Sequence, residues 1–176
     1  MPGPKPARDE DNKDSRPVSK HRILFVCTGN ICRSPTAEGV LRHKAQETGL
    51  DHLVEVDSAG THGYHVGDPP DPRAIRQAAE RGYDLSDLRA RKVRRDDFHD
   101  FDLILGMDRG HMSLLSRMAP AEARAELRLF LDGAPDAGHG RDVPDPYYGD
   151  LSDYDHALDL IEHGVEALIR SLRHNA

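Results

Sequence analysis

The sequence predicts an α/β fold: a single doubly wound domain, with a central four-stranded parallel sheet, helices on both faces and a phosphate-binding loop after the first strand. Three observations carry this. Strand-like and helix-like segments alternate along the chain without internal repeats, which is the pattern of a parallel sheet covered on both sides. The run Ile23-Leu24-Phe25-Val26 is continuously apolar, as suits a strand buried on both faces. Directly after it stands Cys27-Thr28-Gly29-Asn30-Ile31-Cys32-Arg33-Ser34-Pro35, a loop placed where ligands of such sheets bind, beyond the carboxyl end of a strand.

Taken in order, residues 1–20 hold five prolines or glycines, many charges and almost nothing apolar. They cannot offset their own ordering entropy, and they lack the apolar centre of a signal peptide. They are expected to form a disordered N-terminal tail ahead of a domain at 21–174. After the first strand, Ser34 suits an N-cap and Pro35 a first helical position. Ala37, Val40, Leu41 and Ala45 then recur at helical spacing until Gly49. Leu53 to Asp57 alternates as a second strand, and Ser58-Ala59-Gly60-Thr61 is expected to turn the chain back. His62 to Pro70 is a Gly- and Pro-rich loop. Asp71 and Pro72 start a helix that Gly82 ends.

The basic cluster Arg89, Arg91, Lys92, Arg94 and Arg95 reads as a solvated face. Phe101 to Met107 reads as the third strand, with Asp108 capping a helix through Met112, Leu115 and Met118. Leu127 to Leu131 reads as the fourth. From Asp132 to Asp150 no regular structure is expected, and a connection that long in one domain is generally functional or disordered. Tyr154, Leu158, Ile161, Val165, Leu168 and Leu172 recur every three or four residues, so a long amphipathic helix closes the chain.

Composition narrows the classes of function. A chain of 176 residues suits one domain, and a formal charge of −7 does not favour a nucleic-acid partner. No apolar run approaches the roughly 18 residues that span a bilayer, so no membrane partner is expected. Two cysteines indicate a reducing compartment, and the protein is expected to be cytoplasmic. A zinc site needs about four ligands, and two cysteines with no His pair at ligand spacing near them do not supply it; no metal or other cofactor is expected.

The chemistry sits in the loop. Between a strand and a helix N-terminus, backbone N–H groups and the helix dipole favour a doubly negative group such as phosphate, and the same field favours an ionised Cys27. The planar fork of Arg33 can grip two phosphoryl oxygens and follow them through a transition state. Gly29 permits close backbone approach or a positive φ, and Asn30 can brace the loop or accept an awkward dihedral. Ser34 can donate its hydroxyl to the sulfur. Phosphoryl transfer to a thiolate also needs a proton for the leaving oxygen, which an aspartic acid on the 132–150 segment could supply. On spacing alone Asp142, Asp145 and Asp150 all qualify.

The stretch Val26-Cys27-Thr28-Gly29-Asn30-Ile31-Cys32-Arg33-Ser34-Pro35 resembles the phosphate-binding loop of the low-molecular-weight protein tyrosine phosphatases. Asp57-Ser58-Ala59-Gly60-Thr61, Asp71-Pro72-Arg73, Met107-Asp108 and Asp145-Pro146-Tyr147-Tyr148-Gly149-Asp150 match in order, so the resemblance covers about Arg22 to Arg173. It implies a phosphotyrosine phosphatase in which Cys27 is the nucleophile, Arg33 stabilises the transition state and Asp145 is the acid and base. Thr28, Gly29, Asn30, Ile31, Cys32 and Ser34 would hold the phosphate, Tyr64, His65, Tyr147 and Tyr148 would flank the substrate ring, and Ser58 and Asp108 would brace the loop. The family commonly has a histidine at the position of Leu88. Related arginine phosphatases carry a small polar residue at Ile31, so Ile31 implies an aryl phosphate. Expected partners are phosphotyrosine proteins, with inorganic phosphate and similar oxyanions as competitors. The rival readings are an arsenate reductase of the same fold using an external thiol, since no Cys follows Cys32, and a non-catalytic phosphotyrosine-binding module.

Overall fold

The computed structural model describes residues 20–134 and 142–175; of the expected tail only Lys20 falls among them. Four parallel strands, β1 (His21–Cys27), β2 (Val54–Gly60), β3 (Leu103–Gly106) and β4 (Glu126–Leu129), lie in the order β2-β1-β3-β4. The crossovers carry α1 (Arg33–Glu47), α2 (Pro72–Glu80), the single turn α3 (Asp97–Asp100) and α4 (Arg109–Met118), and α5 (Leu151–His174) follows the last strand. The doubly wound parallel sheet is as expected. Its order reverses between β1 and β3, so the loop after β1 opens at the crevice where such sheets bind ligands.

The double burial of β1 is visible in its alternation. Ile23, Phe25 and Cys27 enter one core, against Val40 and Leu41 of α1 and Leu158, Ile161 and Val165 of α5. Leu24 and Val26 enter a second, with Phe98, Ile104 and Leu115. Phe25 meets the edge of Phe130 at 5.3 Å between ring centroids. Burying one such large apolar side chain contributes roughly 1.5–3 kcal/mol, so the strand that delivers Cys27 is among the most firmly held parts of the molecule. Among the described residues no helix is long and apolar enough to cross a membrane.

Several boundaries differ from the sequence expectations, each for a physical reason. Helix α1 begins at Arg33 with Cys32 at its N-cap position and no side-chain cap; Ser34 does not cap it because its hydroxyl is committed to Cys27 and Asn30. Residues 58–60 extend β2 instead of turning, because the register carries Ser58, Ala59 and Gly60 alongside Phe25, Val26 and Cys27. Strand β3 is shorter than 101–107, since Phe101 closes α3, and β4 gives way after Leu129 to a 3₁₀ turn, Phe130–Gly133. The helices before Gly49 and Gly82 do end at these glycines, whose φ angles are 73° and 91°, values that only glycine adopts freely.

The basic cluster is not uniformly solvated either. Arg91 is drawn inward by Asp57 and by the fully buried Asp97, at 3.0 Å from each, while Arg94 and Arg95 remain exposed.

Candidate active site

Strand β1 carries Cys27 to the carboxyl edge of the sheet, 2% exposed, where its Sγ lies 3.0 Å from Ser34 Oγ. Asn30 holds this pair. Its Nδ2 donates to Ser34 Oγ at 2.8 Å and to Ser58 Oγ at 2.9 Å, and its Oδ1 accepts from the Arg91 backbone N–H at 2.9 Å. With the amide donating to Ser34 Oγ, that hydroxyl keeps its own proton to give, and Cys27 Sγ at 3.0 Å and the Ala59 carbonyl at 3.4 Å lie within its reach. Asn30 takes φ 60°, a left-handed conformation that Asn tolerates better than most residues. Both parts of its expected role are therefore present. Gly29 does not have a positive φ; its close approach is to His65, whose Cδ2 would lie 2.9 Å from an added Cβ.

Behind Ser58 stands a residue that pattern reading passed over. Ser58 Oγ donates to Glu38 Oε1 at 2.6 Å, and Arg42 Nη2 donates to Glu38 Oε2 at 2.7 Å. Burial raises the Glu38 carboxyl above its usual range, with the Ser58 and Arg42 bonds working against the rise. Leu88 packs half-buried on the core, and the chain Arg42–Glu38–Ser58–Asn30–Ser34 backs the loop without a histidine there. Glu38 is the residue after Thr36 and Ala37 on α1, and nothing in helical periodicity separates it from a solvent-facing glutamate.

Arg33 is 3% exposed and is gripped from one side. Its Nη1 donates to Asp108 Oδ2 and to the Val143 carbonyl, each at 2.8 Å, while Nη2 lies 3.6 Å from Asp145 Oδ2. Asp108 caps α4 in a reciprocal capping box: its Oδ1 accepts from His111 N–H at 3.0 Å, and its own N–H donates to His111 Nδ1 at 3.2 Å. Burial opposes ionisation of Asp108, but the Arg33 hydrogen bond and the His111 contacts outweigh it and hold the carboxyl below its usual range. His111 was not foreseen; the only signal was a hydrogen-bonding residue three places after the N-cap.

Burial, and then the neighbouring Arg33, pull His111 down to about 4 from an ordinary 6.5. An unfolded chain protonates this histidine near pH 6.5 and the folded one only near 4, so the stability it confers is complete above the first value and is lost as pH falls toward the second. Between pH 7.5 and 5 the wild type is expected to lose about 2 kcal/mol from this group. Denaturant midpoints across that range should show the loss, and His111→Asn should flatten it; an equally steep slope in the variant would contradict the assignment.

Three aspartates competed for the acid's place, and their surroundings separate them. Asp142 pairs with the exposed Arg109 at 3.3 Å. Asp150 is occupied as the N-cap of α5, accepting from Ser152 and Asp153 N–H. Asp145 lies beside Arg33, its Oδ2 3.6 Å from Nη2, with its Oδ1 accepting from Tyr147 N–H at 3.1 Å. Its segment is latched by Arg73, which donates to the Tyr147 carbonyl at 3.0 Å and to Asp71 Oδ2 at 2.9 Å and lies over the Tyr147 and Tyr154 rings.

Cys27, Thr28, Gly29, Ile31, Cys32 and Arg33 line the floor of one crevice, and Tyr64, His65, Asp145, Tyr147 and Tyr148 line its walls. Asn30, Ser34 and Ser58 lie behind the floor as braces. The rings of His65 and Tyr147 meet at a tilt of 50° with centroids 6.5 Å apart. Tyr64 stacks on His62 at 5.0 Å. At 72% and 92% exposed, Tyr64 and Tyr148 form an outer rim. Cys32 Sγ is 3.5 Å from Tyr154 Oη, and burial pushes its thiol up to about 12, so at neutral pH it is a protonated neighbour of Cys27.

A family model described as low molecular weight phosphotyrosine protein phosphatase matches residues 22–176. The chain belongs to this family. A low molecular weight protein-tyrosine-phosphatase of Streptomyces coelicolor is 44% identical over 155 residues, covering 87% of this chain and 94% of that protein. Among solved structures, a protein tyrosine phosphatase from Entamoeba histolytica, crystallised with Hepes in its active site, superposes with a TM-score of 0.83 at 35% identity, covering 89% of this chain and 99% of that one. A Drosophila arginine phosphatase superposes with a TM-score of 0.78 at 28% identity, covering 85% and 96%. In this phosphatase fold Cys27, Arg33 and Asp145 line one crevice.

Proposed function

We propose that this phosphatase hydrolyses phosphotyrosine in proteins, and small aryl phosphates, through a cysteinyl-phosphate intermediate. The single observation that carries the reading is the meeting of Cys27, hydrogen-bonded by Ser34, with Arg33 and Asp145 in one crevice. The Cys27 thiolate attacks phosphorus in line with the ester oxygen. Arg33 and the helix N-terminus of α1 stabilise the charge spread over the equatorial oxygens, and Asp145 gives its proton to the departing phenolate. Asp145 then takes a proton from water, which attacks the phosphocysteine. Ser34 stabilises the sulfur as it leaves, and phosphate is released.

The crevice supports an aryl substrate. His65 and Tyr147, a tilted ring pair with centroids 6.5 Å apart, line it together with Ile31, so a phenyl ring would meet aromatic and apolar surface there that a short phosphoserine stem lacks the area to use. Inorganic phosphate and related oxyanions compete for the same floor. The two cysteines are free thiols, which supports a cytoplasmic setting for residues 21–174 acting as one phosphatase domain.

The test is phosphate release from phosphotyrosine, phosphoserine and phosphoarginine peptides with a chelator present. Turnover of phosphotyrosine at least about tenfold above the other two in kcat/KM, a preference on the order of 1.4 kcal/mol, is the expected result. A phosphoarginine preference would overturn the role given to Ile31. Absence of turnover from a folded protein that binds phosphate would favour a binding module, and thiol-dependent arsenate reduction would favour the reductase.

A further inference from the structure

We infer that His111 is a positioning residue that makes the Thr28 hydroxyl a hydrogen-bond donor to a non-bridging phosphoryl oxygen in the crevice. The hydrogen-bond network assigns the tautomer. His111 Nδ1 accepts the Asp108 backbone N–H at 3.2 Å, so the ring proton resides on Nε2, and Nε2 lies 2.9 Å from Thr28 Oγ1. Nε2–H therefore donates to Thr28, filling an acceptor site on that oxygen. The hydroxyl's own proton is left for another acceptor. Thr28 lines the crevice next to Cys27, and an anion seated over Cys27 offers that acceptor.

The same imidazole reaches the other side of the site. Through the capping box it fixes Asp108, and Asp108 Oδ2 holds Arg33 Nη1 at 2.8 Å. One buried ring thus sets two donors against one phosphoryl group, a hydroxyl at the start of the loop and a guanidinium at its end. The group is neutral in this arrangement, wedged at 3% exposure beside a cation, so it supplies orientation without adding charge. Neither the loop motif nor the general acid accounts for a histidine in this place.

The inference rests on the phosphatase reading, and the experiment separates the two. Wild type, Thr28→Val, Thr28→Ser and His111→Ala are compared for kcat/KM on phosphotyrosine peptide and for affinity toward inorganic phosphate and orthovanadate, with thermal melts as a check on folding. Loss of one hydrogen bond to a charged group predicts that Thr28→Val lowers kcat/KM and orthovanadate affinity by about tenfold or more, and that Thr28→Ser restores both to within about threefold. In the His111→Ala background, Thr28→Val should cost much less than it does alone, because the hydroxyl is no longer oriented. If His111→Ala does not fold, Thr28→Val and Thr28→Ser decide the donor and the same double-substitution comparison with His111→Asn decides the positioning, where fully additive losses would overturn the part given to His111. Thr28→Val retaining wild-type kcat/KM and orthovanadate affinity would overturn the inference with the phosphatase reading intact. A wild type without turnover would defeat that reading, and weakened oxyanion binding by Thr28→Val would still uphold the donor.

Discussion

Cys27→Ser is expected to lower phosphotyrosine turnover by about 10⁴-fold or more in kcat while leaving phosphate binding within a few-fold of wild type. The change is nearly isosteric at a site 2% exposed, so the core that holds β1 is preserved. What disappears is the proposed nucleophile. A hydroxyl in this position stays protonated, and Ser34 Oγ beside it is another neutral hydroxyl, too weak a base to take its proton. The α1 N-terminus and Arg33 still attract the anion. Steady-state kinetics paired with phosphate-binding calorimetry reads both halves, and substantial residual turnover would sink the assignment of Cys27.

Asp145→Ala is expected to lower kcat on phosphotyrosine by roughly 10²–10⁴-fold, the usual contribution of a positioned acid. The loss should depend on the leaving group. An aryl phosphate whose phenolate departs unaided needs the proton less, so its first step should suffer less than that of phosphotyrosine. Asp142→Asn and Asp150→Asn should not show this dependence, since the first residue pairs with Arg109 and the second caps α5. A burst experiment with the two substrates distinguishes the cases. An effect of Asp145→Ala that is the same for every leaving group would assign Asp145 to binding and not to proton transfer.

The parts of the fold that sequence revealed are those governed by short-range rules. The apolar run of β1, the Asp71-Pro72 start of α2, the glycines that end α1 and α2 and the apolar stripe of α5 each follow from local pattern. Boundaries failed where a side chain had a long-range commitment. Ser34 has the composition of an N-cap, but its hydroxyl serves Cys27, and the strand-like extension of Ser58 to Gly60 depends on pairing with β1. Likewise Arg91 looked like one more surface cation, and only the fold brings it to Asp57 and Asp97, 34 and 6 residues away.

The site divides in the same way. Cys27 and Arg33 stand on one contiguous loop, so spacing and chemistry pointed to them directly. Asp145 could be separated from Asp142 and Asp150 only by resemblance or by geometry. Glu38 and His111 act through partners distant in sequence, Ser58 and Thr28 at separations of 20 and 83 residues. Neither residue type nor helical position announces such a role. Leu88, at a position where the family commonly has histidine, proved to be packing, with Glu38 backing Ser58.

The most direct test of the central claim is to look for the covalent intermediate itself. Asp145→Ala is mixed with excess aryl phosphate of a good leaving group, where formation of the intermediate needs no acid but its hydrolysis lacks a base, and the reaction is quenched within one turnover. Peptide mass analysis should find one phosphoryl group on the peptide bearing Cys27, labile as a thiophosphate is and absent from Cys27→Ser. Phosphate released at full rate with Cys27 never modified, or the phosphoryl group found on another residue, would contradict the account.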